Sequence, residues 1–446
     1  MRFLGNNVIK HHTTLLPCRI FLKNLFSNSE DKMSNISINK KLKYNGKSKK
    51  RQWEDRRTDK GVGLGPKVPK IEENNKEDIN KTDDKTEKIK RRKFAVLMGY
   101  SGVGYWGMQR NRGTQTIEED LFKALFDAEF INKECYDVVQ NMQFQRAART
   151  DKGVSAARQV VSMKLGENFD ISKVNEKLPE KIRLFAAKRV TKGFNSKSQC
   201  DFRTYIYVLP TIAFADTEKP QKAFRIKEET LKEINEILQL YVGTKNFHNF
   251  TVKKKPNDPS AKRFIKSFEC EPPFVKDNVE FCALKVYGQS FMMHQIRKMV
   301  GLVLAVVRGM TTQNTIIKAF TYETVNVPRA PGLGLFLDYV HYERYNYRYG
   351  EDGMHEKLIW EEVENDVKEF KEKHILPTIL NTEINEEAMM WWIQNKLARH
   401  SYDKTDEKDE SDDETAGDDD GEEQDNSHNE SAQAAPDTNE HIENKL

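Results

Sequence analysis

The eleven residues from Arg146 to Ala156 contain the groups that are best suited to do chemistry. They read RAARTDKGVSA, so that Asp151 lies between two cations, Arg149 and Lys152, and is followed by a glycine. Nearby positive charge favours the ionised form of a carboxylate, and an ionised carboxylate can act as a nucleophile at neutral pH. Taken alone, the segment fits a surface turn with a salt bridge as well, because structural ion pairs also surround carboxylates with cations.

The pattern of apolar residues predicts that this segment lies between a helix and a strand. Thr116 and Glu119 form a capping box before a helix with the apolar stripe Ile117, Leu121, Leu125 and Ala128. Two further helices are predicted over residues 228–241 and 291–308. Short apolar runs predict strands over residues 94–98, 159–165, 182–190, 203–209, 263–269, 281–287 and 334–342. Strands interleaved with helices but joined by long loops indicate an α+β protein rather than a pure βαβ winding.

The charge is distributed very unevenly along the chain. Residues 403–446 hold 18 acidic against 3 basic side chains, a net charge of −15, and the other 402 residues carry 70 basic against 51 acidic side chains, a net charge of +19. A basic body indicates a polyanionic partner, with nucleic acid as the first candidate. The acidic tail, residues 403–446, is expected to be disordered.

The five cysteines are an odd number and include no CxxC pair, so neither a disulfide framework nor a zinc ribbon is indicated. His248 and His294 have no further ligand at metal-binding spacing, and we expect no metal. No run of about 18 apolar residues is present, which excludes a membrane span on the sequence alone.

The N-terminal residues 1–93 are basic and are expected to be disordered. The first 29 residues contain four cations and no acidic residue, with large apolar residues between them, which is typical of a mitochondrial presequence. A disordered basic N-terminus explains the same composition. A lysine-rich and arginine-rich stretch over residues 39–60 would serve as a nuclear address or a loose RNA arm. We therefore expect the protein in the nucleus and, through the presequence, in the mitochondrion.

Five stretches of the chain, in the same order, resemble motifs of the TruA family of pseudouridine synthases. The segment around Asp151 resembles the catalytic motif of that family, in which an Arg-Thr-Asp-x-Gly-Val core carries the essential aspartate. The other four are GYSGVGYWGMQ at 99–109, DFRTYIY at 201–207, FMMHQIRKMVG at 291–301 and PGLGLFL at 331–337. Together they cover about residues 94–345. The residues of the Asp151 motif and of GTKNFHNFT at 243–251 resemble those of the eukaryotic branch of the family, which has broad RNA specificity.

The resemblance implies a role for four side chains. Asp151 would act on the ribose, Tyr205 would stack on the extruded uracil, Arg297 would hold Asp151 ionised through a charge-assisted fork, and Leu335 would close the pocket. Without the resemblance, Tyr205 is more simply a core residue of a strand, and Arg297 is more simply a cation at the rim of a helix. Two residues depart from the family pattern: Phe202 stands where a small residue is usual, and Arg158 where a glycine is common.

The resemblance also implies the fold and the activity. The expected fold is a largely antiparallel central sheet of two similar halves, about residues 94–215 and 216–345, flanked by helices and followed by a helical extension at 346–402. The expected activity is the isomerisation of uridine to pseudouridine in tRNA, in and near the anticodon stem-loop, and also in snRNA or mRNA. We expect a monomer that uses no small-molecule cofactor. A sister synthase with a narrower site preference and a non-catalytic RNA-binding module are the alternatives.

A cluster of cations around a Pro/Asn/Asp loop, together with the two neighbours of Asp151, is predicted to hold RNA phosphates. A solvated lysine loop is an equally good explanation for any one of them. The predicted residues are Arg149, Lys152, Lys253, Lys254, Lys255, Lys262 and Arg263.

Overall fold

The computed structural model describes residues 90–215 and 221–403. The predicted presequence and nuclear address, and all of the predicted acidic tail except its first residue, lie outside the described residues. Within the described ranges, no helix is long and apolar enough to cross a membrane.

A single ten-stranded sheet organises the described residues. Its main path runs β4-β1-β3-β10-β5-β9-β7-β6, with β2 paired to β3 and β8 paired to β9. All strand pairings within this sheet are antiparallel except that of β3 with β10. The strands are β1 (Arg91–Tyr100), β2 (Gln145–Arg146), β3 (Ser155–Gly166), β4 (Ile182–Arg189), β5 (Phe202–Pro210), β6 (Gly243–Asn246), β7 (Lys262–Cys270), β8 (Phe274–Lys276), β9 (Val279–Gly288) and β10 (Leu335–His341).

The two halves of the sequence interlock at the centre of this sheet. β5, the last strand of the first half, pairs with β9 of the second half. β10, the last strand of the second half, lies between β3 and β5. The predicted α+β class and largely antiparallel sheet are therefore confirmed, but the halves share their central strands rather than lying side by side.

Helices cover the sheet and continue into the predicted extension. They are α1 (Ile117–Asp127), α2 (Lys133–Asp137), α3 (Ile171–Asn175), α4 (Glu228–Gln239), α5 (Gln295–Val307), α6 (Gln313–Lys318), α7 (Glu343–Tyr349), α8 (Glu364–Phe370), α9 (Leu376–Glu386) and α10 (Ala388–Asn395). A π-helical segment, Lys371–Ile375, joins α8 to α9.

Two local predictions were wrong in detail. The helix expected from residue 291 begins only at Gln295, because His294 adopts a left-handed backbone with φ of 61°. The capping box before α1 is half formed. Thr116 accepts a hydrogen bond from the Glu119 backbone N–H, but the Glu119 carboxylate binds Arg110 and Tyr136 instead of reaching back to the cap.

Buried charges fix the extension against the centre of the sheet. Lys371, which is 1% exposed, donates to Asp338 of β10 at 2.8 Å, and Arg158 of β3 donates to Glu364 of α8 at 2.5 Å. The Phe370 ring packs edge-on against Phe185 of β4 at 5.6 Å. Arg158, which departs from the family pattern, therefore serves as an anchor for the extension.

The other departure, Phe202, fills space between strands. Its ring lies 4.9 Å from the ring of Tyr287 and 6.3 Å from that of Phe264. A small residue at this position would leave these two aromatic side chains without that contact.

Glu383 of α9 gives the extension a pH-dependent stability. Burial raises the pKa of this carboxyl to about 7, against the smaller opposing effect of the Met389 N–H that it accepts at 3.0 Å. In the unfolded chain, the pKa of a glutamate is about 4.3. The folded state therefore binds the proton more tightly, and the protein loses stability as the pH rises from the unfolded towards the folded pKa.

We expect Glu383→Gln to stabilise the protein by roughly 3–4 kcal/mol at pH 8 and to have little effect at pH 4, because the amide is neutral at both pH values and still accepts the Met389 N–H. Urea unfolding at the two pH values measures this. Glu372→Gln, an exposed position on the π-helical segment before α9, is the matched control and should change stability equally at both pH values. An equal gain for Glu383→Gln at pH 4 and pH 8 would contradict the assignment.

Candidate active site

Asp151 lies on a tight turn between β2 and β3 that is held by its neighbours. The Asp151 carbonyl accepts the Val154 N–H at 3.0 Å, and the Thr150 hydroxyl is hydrogen-bonded to the Tyr100 hydroxyl at 2.8 Å. Upstream of the turn, Arg203 of β5 donates through two nitrogens to the Ala147 carbonyl, at 3.1 and 2.8 Å. The turn is therefore anchored on both sides of the carboxylate.

The glycine-rich loop at 99–109 packs directly against this turn. A Cβ built on Gly102 would come within 2.5 Å of the Val154 carbonyl, and one on Gly107 within 2.8 Å of the Thr150 carbonyl. Gly107 also has φ of 95°, which glycine adopts without strain. The glycines of this motif allow backbone to approach backbone beside Asp151.

Three cationic or hydrogen-bonding side chains surround the Asp151 carboxylate. His294 Nδ1 lies 3.0 Å from Asp151 Oδ2, and Arg297 Nη1 lies 3.8 Å from the same oxygen. Arg329 Nη1 lies 3.0 Å from His294 Nε2 on the far side of the ring. About a quarter of the Asp151 side chain, 26%, stays exposed, so a substrate can reach it.

The chain of contacts fixes the tautomer of His294. A guanidinium can only donate, so His294 Nε2 must accept the hydrogen bond from Arg329. The remaining ring proton is then on Nδ1, from which it is donated to Asp151. His294 thus links Arg329 to the carboxylate and transmits the orientation of Arg329 to it.

The left-handed turn at His294 explains how this residue and Arg297 both reach Asp151. His294 caps the N-terminus of α5, and Arg297 lies on the first turn of that helix. Arg297 is 7% exposed, and its Nε donates to the Ala330 carbonyl at 2.8 Å. This bond diverts Nε from Asp151, so the contact is a salt bridge through Nη1 rather than the short bidentate fork expected from the sequence.

Cations around Asp151 determine its protonation state. Burial alone would raise the pKa of Asp151, but the hydrogen bond from His294 and the charges of Arg297 and Arg329 outweigh it and hold the pKa below its ordinary value. The carboxylate is therefore ionised throughout the neutral range, and its ionisation stabilises the fold until the pH falls through the lowered pKa.

Tyr205 and Leu335 lie on the two central strands next to this turn. Tyr205 on β5 is 6% exposed and packs edge-on against Phe291 at 5.4 Å. Burial, together with the nearby charge of Asp151, raises the pKa of Tyr205, so that its ring is neutral. Leu335 is the first residue of β10, and two residues further on Leu337 pairs with Tyr205.

The predicted RNA-binding cations are placed unequally. Arg149 and Lys152 are exposed beside Asp151, and the Lys152 ammonium lies 3.5 Å from the centre of the Trp106 ring. Lys253 and Lys254 line a cavity together with His294 and Arg297. The other three predicted cations do not line this cavity. Lys255 and Lys262 are exposed, and Arg263 is half-buried in β7.

The chain matches known proteins over most of its length. A family model described as tRNA pseudouridine synthase matches residues 237–343. The pseudouridylate synthase 1 homolog of Mus musculus is 51% identical over 324 residues, which are 71% of this chain and 76% of the mouse protein. This chain belongs to the TruA family of tRNA pseudouridine synthases. The synthase is also 51% identical to the Homo sapiens pseudouridylate synthase 1 homolog over 318 residues, covering 70% and 74% of the two chains. It is 32% identical to tRNA pseudouridine synthase 1 of Saccharomyces cerevisiae over 397 residues, covering 71% and 72%.

Sequence reasoning missed three members of this synthase's site. His294 lay inside the FMMHQIRKMVG motif but was considered only as a metal ligand, and Arg329 and Arg203 were not singled out. No group of three His, Cys, Asp or Glu side chains in residues 90–215 and 221–403 is placed to hold a metal ion. A prediction that started the helix at Gln295 would have placed His294 in the turn before it, where its ring can face Asp151.

We expect Arg297→Met to slow catalysis and to destabilise the synthase by roughly 3 kcal/mol, because removing one member of a buried pair leaves the other charge with less compensation. Arg297→Lys should recover stability better than rate, since an ammonium cannot replace a guanidinium that contacts both Asp151 and the Ala330 carbonyl. Melting temperature and single-turnover rate measure the two effects.

A double-mutant cycle with Asp151→Asn tests whether the two side chains interact. Stability losses of the single variants that simply add in the double variant would contradict the pairing. Arg348→Met, at an exposed position on α7, controls for the loss of an arginine elsewhere.

Proposed function

We propose that this synthase isomerises uridine to pseudouridine in and near the anticodon stem-loop of tRNA, with Asp151 as the catalytic carboxylate. The observation that carries the proposal is an ionised, partly exposed carboxylate held at 3.0 Å by His294 and at 3.8 Å by Arg297. Few structural ion pairs need an aspartate that is both surrounded by cations and open to solvent.

The reaction requires one reactive group at the sugar and a pocket that retains the base. The bond from ribose C1′ to uracil N1 breaks, the uracil turns, and C1′ bonds to C5. C5 loses its proton and N1 gains one, so no atom is added and no electron is transferred. Asp151 would act on the ribose, either by attack or by abstraction of a proton at C2′. The reaction as written calls for no cofactor.

The surrounding side chains suit the other parts of this reaction. The neutral ring of Tyr205 would stack on the extruded uracil. Arg297 would keep the carboxylate ionised through its charge, while His294 aims it through a hydrogen bond. Leu335 would close the pocket with an aliphatic side chain.

Binding without catalysis is the competing proposal. A pure RNA-binding module has no need for a carboxylate held between arginine and histidine, because burying an ion costs free energy unless it is paired. Catalysis by Asp151 is therefore favoured over binding alone. Two further alternatives, a narrower preference for tRNA sites and action on snRNA or mRNA, differ from the proposal only in the RNA substrate. Pseudouridine mapping in cells with and without the protein distinguishes these alternatives.

For location, we propose the nucleus and the mitochondrion, on the composition of residues 1–93. A fluorescent protein carrying residues 1–93 should enter both compartments, and one carrying residues 33–93 only the nucleus, because the latter lacks the acid-free stretch. Replacing the four cations of the first 29 residues by glutamine is the control, and unchanged mitochondrial import of that variant would contradict the proposal.

We expect Asp151→Ala to abolish pseudouridine formation while tRNA affinity stays within a few fold, because phosphate contacts carry most of the affinity and Asp151 carries the chemistry. Turnover of purified protein on a tRNA transcript and filter binding measure the two quantities. Asp127→Ala, an exposed carboxylate at the end of α1, is the control and should keep full activity. Retained turnover in purified Asp151→Ala would disprove the assignment.

A further inference from the structure

A cavity of about 1020 Å³ connects the Asp151 site with the C-terminal extension. Its lining includes His294, Arg297 and Arg329 together with Trp391 and other residues of the extension. This volume is at the upper end of the range of about 300–1,000 Å³ found for small-ligand pockets. Unpaired nucleotides therefore fit beside the reacting one.

The extension is fixed in this position by the segment that carries Arg329. Asn326 donates its backbone N–H to the Tyr402 carbonyl at 2.9 Å and its side-chain N–H to the Ser401 carbonyl at 3.1 Å. The Asn326 carbonyl lies 2.9 Å from His400 Nε2. The wall formed by the extension is thus hydrogen-bonded three residues away from the cation that orients His294.

The cavity is strongly cationic. Its lining contains seven Lys or Arg side chains and one acidic side chain, Glu386, which leaves a net charge of +6. Such a concentration of positive charge suits a ligand with several phosphates. The seven are Lys253, Lys254, Arg297, Lys298, Arg329, Lys396 and Arg399.

His248 adds a buried hydrogen-bonding group to this lining. Its side chain is buried, at 5% exposure, and neither ring nitrogen makes a hydrogen bond of normal geometry with the described residues. Burial lowers the pKa of His248, against a smaller opposing effect of the Glu323 backbone. The neutral ring offers one donor and one acceptor to a ligand in the cavity.

Trp391 adds an exposed aromatic surface to the lining. It is 56% exposed, whereas its neighbours on α10, Met390 and Trp392, are buried. Both Trp391 and Trp392 line the cavity, and Trp391 is the one whose indole is largely exposed there. Exposed aromatic rings beside cations are the platforms on which unpaired RNA bases stack.

We propose that this cavity binds unpaired RNA nucleotides that flank the target uridine, with Trp391 stacking on a base, His248 bonding a base edge or a sugar hydroxyl, and the cations holding the phosphates. The proposal rests on the proposed function, since it concerns the same substrate. It makes the C-terminal extension part of the substrate-binding surface as well as a structural support.

The test measures tRNA binding by the full chain in an Asp151→Asn background, where no turnover takes place. Trp391→Ala should raise Kd at least fivefold, because the stacked base loses its aromatic partner. Trp391→Phe should stay within about threefold of the parent, since a smaller ring still stacks. Tyr347→Ala removes an aromatic side chain that is 95% exposed and lies outside the cavity, and should leave Kd unchanged.

Kinetics with active protein give a second readout. Trp391→Ala should raise KM by a factor similar to that in Kd and leave the single-turnover rate at saturating RNA within about twofold, because the indole touches no reacting atom. Quenching of tryptophan fluorescence by RNA should be smaller in Trp391→Phe than in the parent. A merely structural tryptophan would change neither KM nor the quenching.

Two results would overturn the proposal. One is a Kd and KM for Trp391→Ala within twofold of the parent. The other is that deletion of residues 404–446 tightens RNA binding and abolishes the effect of Trp391→Ala, which would assign the indole to the chain's own acidic segment. Absence of pseudouridine formation by the parent protein would instead refute the proposed function. The Kd measurements would still test whether the cavity binds RNA.

Discussion

The pairing of one carboxylate with cations from two other segments is the constraint on which the rest of this structure depends. Asp151 comes from the turn before β3, His294 and Arg297 from the start of α5, and Arg329 from the segment before β10. An unpaired charge in such a place would cost several kcal/mol. All of these segments must therefore be in place before the buried charge of Asp151 is compensated. The sheet positions them by pairing β10 with β3.

Much of the fold was readable from the sequence, because strands with apolar runs and helices with apolar stripes obey local periodicity. Asp151, Tyr205 and Arg297 were identified only with the help of a family resemblance, since their types and spacing also fit a turn, a core strand and a helix rim. The structure brings Asp151 and Arg297 into contact and places Tyr205 on β5, which β10 separates from β3.

The remainder depended on information that no local pattern carries. A left-handed residue other than glycine is uncommon, so the turn at His294 was read as the first turn of a helix. Arg329 reaches its partner through contacts between segments that are distant in sequence. The cavity beside His248 exists only because the extension folds back onto residues 324–331, which composition alone does not reveal.

The exchange of central strands between the two halves has a consequence for how the chain folds. While only residues up to about 215 have been synthesised, β3 and β5 lack their partner β10, whose residues lie 181 positions after the β3 residues with which they pair. Two open strand edges then stay available for wrong pairing until the last strand emerges. We expect slow, all-or-none folding with a high contact order and a dependence on chaperones during synthesis, because neither half can complete its own sheet.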